Sequence, residues 1–338
     1  MNEGNGRKEF DEAKLIWDAL AAVGFSTSPK KLVDKINQLK RGLPKEDEFT
    51  ALSMWLDNCT LIHKLDQRQY PELSKQEYQV PDLFACYKHN GKDVAVLIEV
   101  KSTKNTKLRL SNADYNRRLK YSKLVNLPVL VAWHLKGWDL WCLFELSKMQ
   151  KKVSAFHIDF EEAMKADLMG VLSGNVIFFI SEGTKLEMKI EIEKGTEIRD
   201  DYNQTLKEFN GVVRDVGFFD ANDERIPSKS PLSKFLNLCF LLVDNDVHVT
   251  DDGQYATQTF SLTQDRMVFA YHILGVVTFG LKVLKTSELN WLEIIKNESF
   301  KSSYEEIKEA AEEGRERGVV RYTVQNVPQP FPQFLGKK

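Results

Sequence analysis

Along the first forty residues the apolar positions fall three and four apart. Phe10, Ala13, Leu15, Ile16, Ala19, Leu20 and Val23 form one helical face that Gly24 ends. Ser28-Pro29 opens a second helix, running to about Lys40, with Leu32, Val33, Ile36 and Leu39 on one side. A third helix is predicted over Lys45–Asn58, with Phe49, Leu52, Trp55 and Leu56 inward. From Leu61 the period becomes strand-like. Ile62–Leu65, Val80–Lys88 and Val94–Lys101 read as strands. The last two flank His89-Asn90-Gly91-Lys92, and Asn-Gly between apolar runs predicts a two-residue hairpin. A basic loop, a helix over Ser111–Val125, a buried strand over Val129–His134, a turn at Gly137 and a strand over Leu140–Glu145 follow. Helix, three strands, helix, two strands predicts an α/β fold, a mixed central sheet flanked by helices.

Beyond Lys148 the pattern is weaker. Ile177–Ile192 alternates as strands do, a helix begins near Ser230 (LSKFLNLCFLL), and a long apolar segment spans Asp265–Leu284. A charged helix over Ser303–Arg317 and a strand over Val319–Val324 precede a proline-rich tail. The expected division is an N-terminal helical unit (1–44), a core (45–150), a connecting region with strands (151–227) and a mainly helical C-terminal region of α+β type (228–338). The N-terminal helix pair has the outline of a helix-turn-helix, an outline that plain packing of two amphipathic helices also produces.

A chain of 338 residues suits two or three domains, and 42% hydrophobic with 28% charged residues is a globular composition. No apolar run reaches the roughly 18 residues that suggest a membrane span. The start, MNEGNGRKEFDEAK, has no apolar signal segment. Cys59, Cys86, Cys142 and Cys239 lie far apart without zinc spacing and read as buried reduced thiols. A cytoplasmic protein without a membrane partner is the expectation. Net charge is −2, which does not suggest a general nucleic-acid binder, but the distribution is uneven. Lys101, Lys104, Lys107, Arg109, Arg117, Arg118, Lys120 and Lys123 crowd one segment against the single acid Asp114. Such a segment can hold a polyanion in one place; a solvated basic helix has the same composition.

The hairpin carries the candidate chemistry. Alternation along its second strand sends Val94, Val96, Ile98 and Val100 one way and Glu99 and Lys101 the other. With an Asn90-Gly91 turn and no bulge, Asp82 faces Glu99 across the pair, preceded by Pro81. Two carboxylates converging beside a lysine repel unless a cation lies between them, and magnesium takes one or two protein carboxylates plus phosphate oxygens. A surface ion pair between Glu99 and Lys101 on an edge strand is the competing reading, worth under about 1 kcal/mol.

Pro81-Asp82, a gap, then Glu99-Val100-Lys101, followed by Ser102, the basic helix and PVLVAWHLKGWDLW, resemble the PD-(D/E)xK nuclease superfamily. The layout is similar to that of archaeal Holliday junction resolvases and restriction endonuclease-like enzymes, over the core and neither flank. The resemblance implies a restriction-endonuclease-like core that hydrolyses DNA with Mg2+ or Mn2+. It implies that Asp82, Glu99 and the main-chain carbonyl of Val100 hold the metal, and that Lys101 orients the attacking water or stabilises charge on the phosphate. In such enzymes an acidic residue on the preceding helix completes the site; Glu48 is the candidate and Glu46 the alternative. Lys104, Lys107 and Arg109 would clamp the phosphate backbone, supported by Arg117, Arg118 and Lys123. The bare Glu-x-Lys string also occurs at Glu12, Glu187 and Glu306, without the Pro-Asp hairpin or the basic helix.

No phosphate loop, nucleophile elbow or dinucleotide fingerprint occurs. His134 reads as a satisfied histidine near a strand end, and Trp133, Trp138 and Trp141 as core packing, with base stacking on an exposed ring as the alternative. The resemblance therefore implies a metal-dependent endodeoxyribonuclease with DNA as partner, a homodimer or higher homo-oligomer by analogy with its relatives. Restriction or phage defence is favoured by the large flanks; junction resolution and a mobile-element function stay open. A non-catalytic DNA-binding or assembly protein that keeps the nuclease-like fold, and an RNA-cutting enzyme, are the competing readings.

Overall fold

The computed structural model describes residues 45–199, 205–241, 243–244, 246–276 and 298–336. The two expected N-terminal helices, and the apolar segment past residue 276, lie outside the described residues. No helix among the described residues is long and apolar enough to cross a membrane. The chain forms two compact units. One takes the described residues as far as Ala51 with Ile62–Ala85 and Ala95–Ala166; the other takes Leu52–Leu61, Cys86–Val94 and the described residues from Asp167 onward.

Helix α1 (residues 45–55) leads into a five-stranded sheet of order β1-β2-β3-β5-β6. Its strands are β1 (Cys59–Lys64), β2 (Leu83–His89), β3 (Lys92–Thr103), β5 (Val129–Leu135) and β6 (Leu140–Glu145). The chain crosses from one unit to the other within α1, β1, β2 and β3. The expected hairpin is present. Asn90 and Gly91 both have positive φ, +50° and +74°, the turn geometry that matches strand twist and that Asn-Gly adopts at low cost. A short helix, α2 (Ser74–Glu77), lies between β1 and β2.

Residues Val96 to Val100 of β3 are all buried, as is every residue of β5. Both faces of these strands are covered, which is why they read as continuous apolar runs. β3 pairs with β5 in parallel, Glu99 beside Val131 and Lys101 beside Trp133; β5 pairs with β6 antiparallel. Leu97, Val131, Trp133, Leu135, Cys142 and Phe144 are the centre of the core here. At about 1.5–3 kcal/mol for each large apolar side chain fully buried, this cluster is what fixes β3 in place.

The basic loop expected after β3 contains a strand, β4 (Lys107–Ser111), which pairs with β8 (Ala155–Asp159), itself paired with β7 (Gln150–Lys152). In β4 Leu108 and Leu110 are buried while Lys107, Arg109 and Ser111 face outward. Helix α3 (Asn112–Val125) follows at once, its first turn capped by Ser111, whose Oγ accepts from the Asp114 N–H at 3.0 Å. Asn126, in the left-handed region, ends it. Helix α4 (Phe160–Lys165) completes this unit.

In the second unit, long strands β10 (Lys185–Arg199) and β11 (Thr205–Phe219) join β13 (Tyr255–Ser261) and β12 (Asp246–Asp251) in an antiparallel sheet. A smaller sheet sets β9 (Ile177–Ile180) between β14 (Arg266–Phe269) and β15 (Val320–Val324). The region from residue 228, expected to be mainly helical, contributes β12, β13, β14 and β15 as well as α5 (Pro231–Phe240), α6 (residues 270–276) and α7 (Glu298–Glu316). All four cysteines are free thiols, Cys142 and Cys239 buried.

Candidate active site

Three neighbouring residues of β3 define the site. Glu99 is 1% exposed, and one of its carboxylate oxygens, Oε1, pairs with both the Lys101 ammonium and the Arg118 guanidinium. The Lys101 ammonium also donates to the Val100 carbonyl at 3.1 Å. Asp82, just before β2, turns its carboxylate onto β3: Oδ2 accepts from the Val100 N–H at 2.8 Å. Its other oxygen accepts from the Gln67 side-chain amide at 2.8 Å, and its carbonyl takes the Leu65 N–H at 2.9 Å. Hydrogen bonds on both sides therefore fix Asp82 beside Glu99.

The electrostatics divide the two carboxylates. Burial, and then the charge of Glu99, lift the Asp82 carboxyl from 3.8 to about 6. Burial works in the same sense on Glu99, but Lys101 and Arg118 outweigh it and hold that group below its ordinary value. Glu99 Oε2 is buried and has no hydrogen-bond partner among the described residues. A buried carboxylate oxygen without a donor is costly, and a hard cation is the partner that suits it beside a second carboxylate. Asp82, Glu99 and the Val100 carbonyl are thus an oxygen donor set that fits magnesium or manganese.

The two acids weighed on α1 have different surroundings. At 100° per residue Glu46 and Glu48 point about 160° apart around the helix. Glu46 is coupled electrostatically to Asp82 and Lys101; burial raises its carboxyl, while Lys64 draws it down. Glu48 instead accepts from the Trp141 indole N–H at 3.2 Å and pairs with Lys45 at 2.6 Å. Its carboxylate belongs to a group with His134 and Asp139 whose ligand atoms lie within 4.8 Å of one another. His134 is buried, with Nε2 2.8 Å from Asp139 and Nδ1 3.1 Å from Ser102 Oγ. The structure therefore brings Glu46, and not Glu48, to the Asp82 side.

The cations expected to clamp DNA are distributed unevenly. Lys104, Lys107, Arg109 and Lys123 are exposed, Lys107 pairing with Asp159 at 3.0 Å. Arg117 is half-buried, held by Asp114 at 2.6 Å and by the Lys75 carbonyl at 3.2 Å. Arg118 departs from the expectation. It is 4% exposed and its charge is committed to Glu99, with Nη1 donating to the Asp114 carbonyl at 3.1 Å. Sequence reasoning placed Arg118 in a basic patch and missed Gln67 altogether; the sequence of α3 carries no signal that turns Arg118 and not its basic neighbours inward. Of the tryptophans, Trp133 and Trp141 are buried and Trp138 is 59% exposed.

Residues 72–176 match the family model described as archaeal Holliday junction resolvase (hjc). The match takes in Asp82, Glu99, Lys101 and Arg118, while α1 precedes it. The resemblance read from Pro81-Asp82 and Glu99-Val100-Lys101 is borne out over this segment, together with the restriction-endonuclease-like arrangement of a mixed sheet flanked by helices. The Holliday junction resolvase Hjc of the archaeal hyperthermophile Archaeoglobus fulgidus is similar over 40% of this chain and 96% of that chain, with 18% identity and a TM-score of 0.31. No curated protein sequence matches the chain.

Proposed function

We propose that the unit bearing Asp82 and Glu99 is a divalent-metal-dependent endonuclease that hydrolyses phosphodiester bonds in DNA. The observation that carries this reading is the pairing of a buried carboxylate that has an unpartnered oxygen with a half-buried one whose pKa is lifted to about 6, at the end of a central strand. A structural ion pair has no use for that arrangement, since each oxygen left bare lowers stability.

In this reading Asp82, Glu99 and the Val100 carbonyl hold Mg2+ or Mn2+, and Glu46 takes the place on α1 for which Glu48 was the first candidate. A divalent ion bound there supplies Lewis-acid polarisation of the phosphate and a more acidic water. Arg118 keeps Glu99 ionised and aimed. Lys101, 30% exposed, reaches solvent where a phosphate would lie, so it can orient the attacking water or stabilise developing negative charge. Lys104, Lys107, Arg109 and Lys123 attract the phosphate backbone from outside, with Arg117 behind them. Two such sites in a homodimer would cut both strands, and the large flanks favour restriction or phage defence as the setting.

The test is cleavage of supercoiled plasmid, linear duplex and branched DNA with magnesium or manganese, comparing the parent with Asp82→Ala and Lys101→Ala. Cutting that both substitutions abolish, with the fold retained, is the expected result. Cutting that survives both would place the metal site elsewhere. Salt-sensitive DNA binding without any cutting would favour the non-catalytic reading.

A further inference from the structure

Three side chains to which the nuclease reading gives no role converge on the other face of the sheet. Along β3 Ser102 points opposite to Lys101, and His134 is the register partner of Ser102. Both therefore face away from the side that carries Glu99 and Lys101. Here the Glu48 and Asp139 carboxylates and the His134 imidazole each bring one ligand atom to within 4.8 Å of the others. They come from three places in the chain: α1, the end of β5 and the β5–β6 turn. His134 is 3% exposed and its ring is held on two sides. Ser102 Oγ lies 3.1 Å from Nδ1, and the Trp141 ring lies 4.8 Å away between centroids. Nε2 is thereby aimed at Asp139 Oδ1, at 2.8 Å, while the Trp141 indole N–H steadies Glu48 Oε1 at 3.2 Å. Such outer contacts are what orient the side chains of a metal site.

We propose that Glu48, His134 and Asp139 bind a zinc ion, at a site separate from Asp82 and Glu99. When the Nδ1–H of His134 donates to Ser102, the Nε2 lone pair faces a carboxylate oxygen, and a cation between them turns repulsion into coordination. One imidazole nitrogen with two carboxylate oxygens suits zinc, whereas magnesium and calcium favour oxygen alone. Zinc bonds of about 2.0–2.2 Å set tetrahedral ligand atoms roughly 3.3–3.6 Å apart, so side-chain adjustments of about an ångström bring all three into range. Lys45 pairs with Glu48 at 2.6 Å from a part-exposed position at the start of α1, and it turns to solvent as the ion enters. The Asp139 side chain is 78% exposed, which leaves water access to the fourth position. The ion ties α1 to the end of β5, and with it the rotation that turns Glu46 toward Asp82.

The test is equilibrium dialysis of zinc against the chelator-stripped full chain carrying Asp82→Asn, which weakens the other donor set. The expected result is about one zinc per chain, retained in excess magnesium and raising the urea midpoint. Loss of an outer contact costs a metal site about 10–100-fold in affinity, so adding His134→Gln, which removes a ligand, should cost at least that. Asp139→Asn, at an exposed position, serves as the second variant if the first does not fold. Zinc binding that survives both substitutions would place the ion elsewhere and overturn the proposal. A chain that takes up no zinc would overturn it too, leaving a hydrogen bond between His134 and Asp139. Zinc displaced by magnesium would overturn the choice of metal. None of these outcomes touches the nuclease reading, which Asp82→Ala and Lys101→Ala test through cleavage.

Discussion

Replacing Asp82 with asparagine should stabilise the metal-free protein near neutral pH. Burial and Glu99 lift the Asp82 carboxyl from 3.8 to about 6. Between those values the folded chain keeps a proton that the unfolded chain has released. The contribution of Asp82 is thus fully present below its ordinary pKa and is lost as pH rises through about 6. At about 1.4 kcal/mol per pH unit, ionised Asp82 costs the folded state about 3 kcal/mol at neutral pH. Asparagine removes that cost and retains an oxygen for the Val100 N–H, while the Gln67 amide can rotate to face the new NH2. Urea unfolding of chelator-treated parent and variant across the acid-to-neutral range measures the difference. The gap should open as pH rises from about 3.8 to about 6 and level off above that. Added magnesium should stabilise the parent and leave the variant unmoved. A variant no more stable than the parent at neutral pH, or a gap independent of pH, would refute the reasoning.

Arg118→Met should cost about 3–5 kcal/mol, the penalty for stripping one partner from a buried ion pair, measured as a fall in urea midpoint. Because Lys101 and Arg118 hold the Glu99 pKa down, the stability that Glu99 confers is lost as pH falls through its depressed value. Without Arg118 that loss should begin at higher pH, and an unchanged acid-unfolding profile would contradict the pairing. Lys104→Ala should weaken binding to all DNA sequences alike and lower the slope of log K against log salt by about 1. An unchanged slope would remove Lys104 from the phosphate contacts.

The parts of the fold that were legible in the sequence are those where one periodicity dominated. β5 and β6 were plain because VLVAW and LWCLF are apolar throughout, and the β2–β3 turn because Asn-Gly tolerates positive φ at both positions. β4 was misread as a loop although Leu108 and Leu110 alternate with Lys107 and Arg109; five residues with two cations look basic before they look like a strand. Asp82, Glu99 and Lys101 could be placed together because strand alternation and hairpin pairing are short-range rules. Choosing between Glu46 and Glu48 was beyond those rules, since both lie on one helical turn and its rotation against the sheet is a tertiary property. Arg118 was hidden for a similar reason. α3 carries few apolar residues, so nothing in its composition says which basic side chain turns inward.

The interleaving of the two units has a consequence for synthesis. Leu52–Leu61 and Cys86–Val94 belong with residues that come after Asp167. At about 5–20 residues per second, those early segments wait from about a few seconds to tens of seconds on the ribosome before their companions emerge. Trp55 meets Tyr304 at 4.9 Å between ring centroids, and His89 meets the carbonyl of Val171 at 3.2 Å, so neither is satisfied until late. A chain cut after residue 166 would keep Asp82, Glu99 and Lys101 yet strand Trp55 and the tip of the hairpin that aligns them. The second unit is therefore contiguous in space but not in time, and its assembly waits for the residues from Asp167 onward.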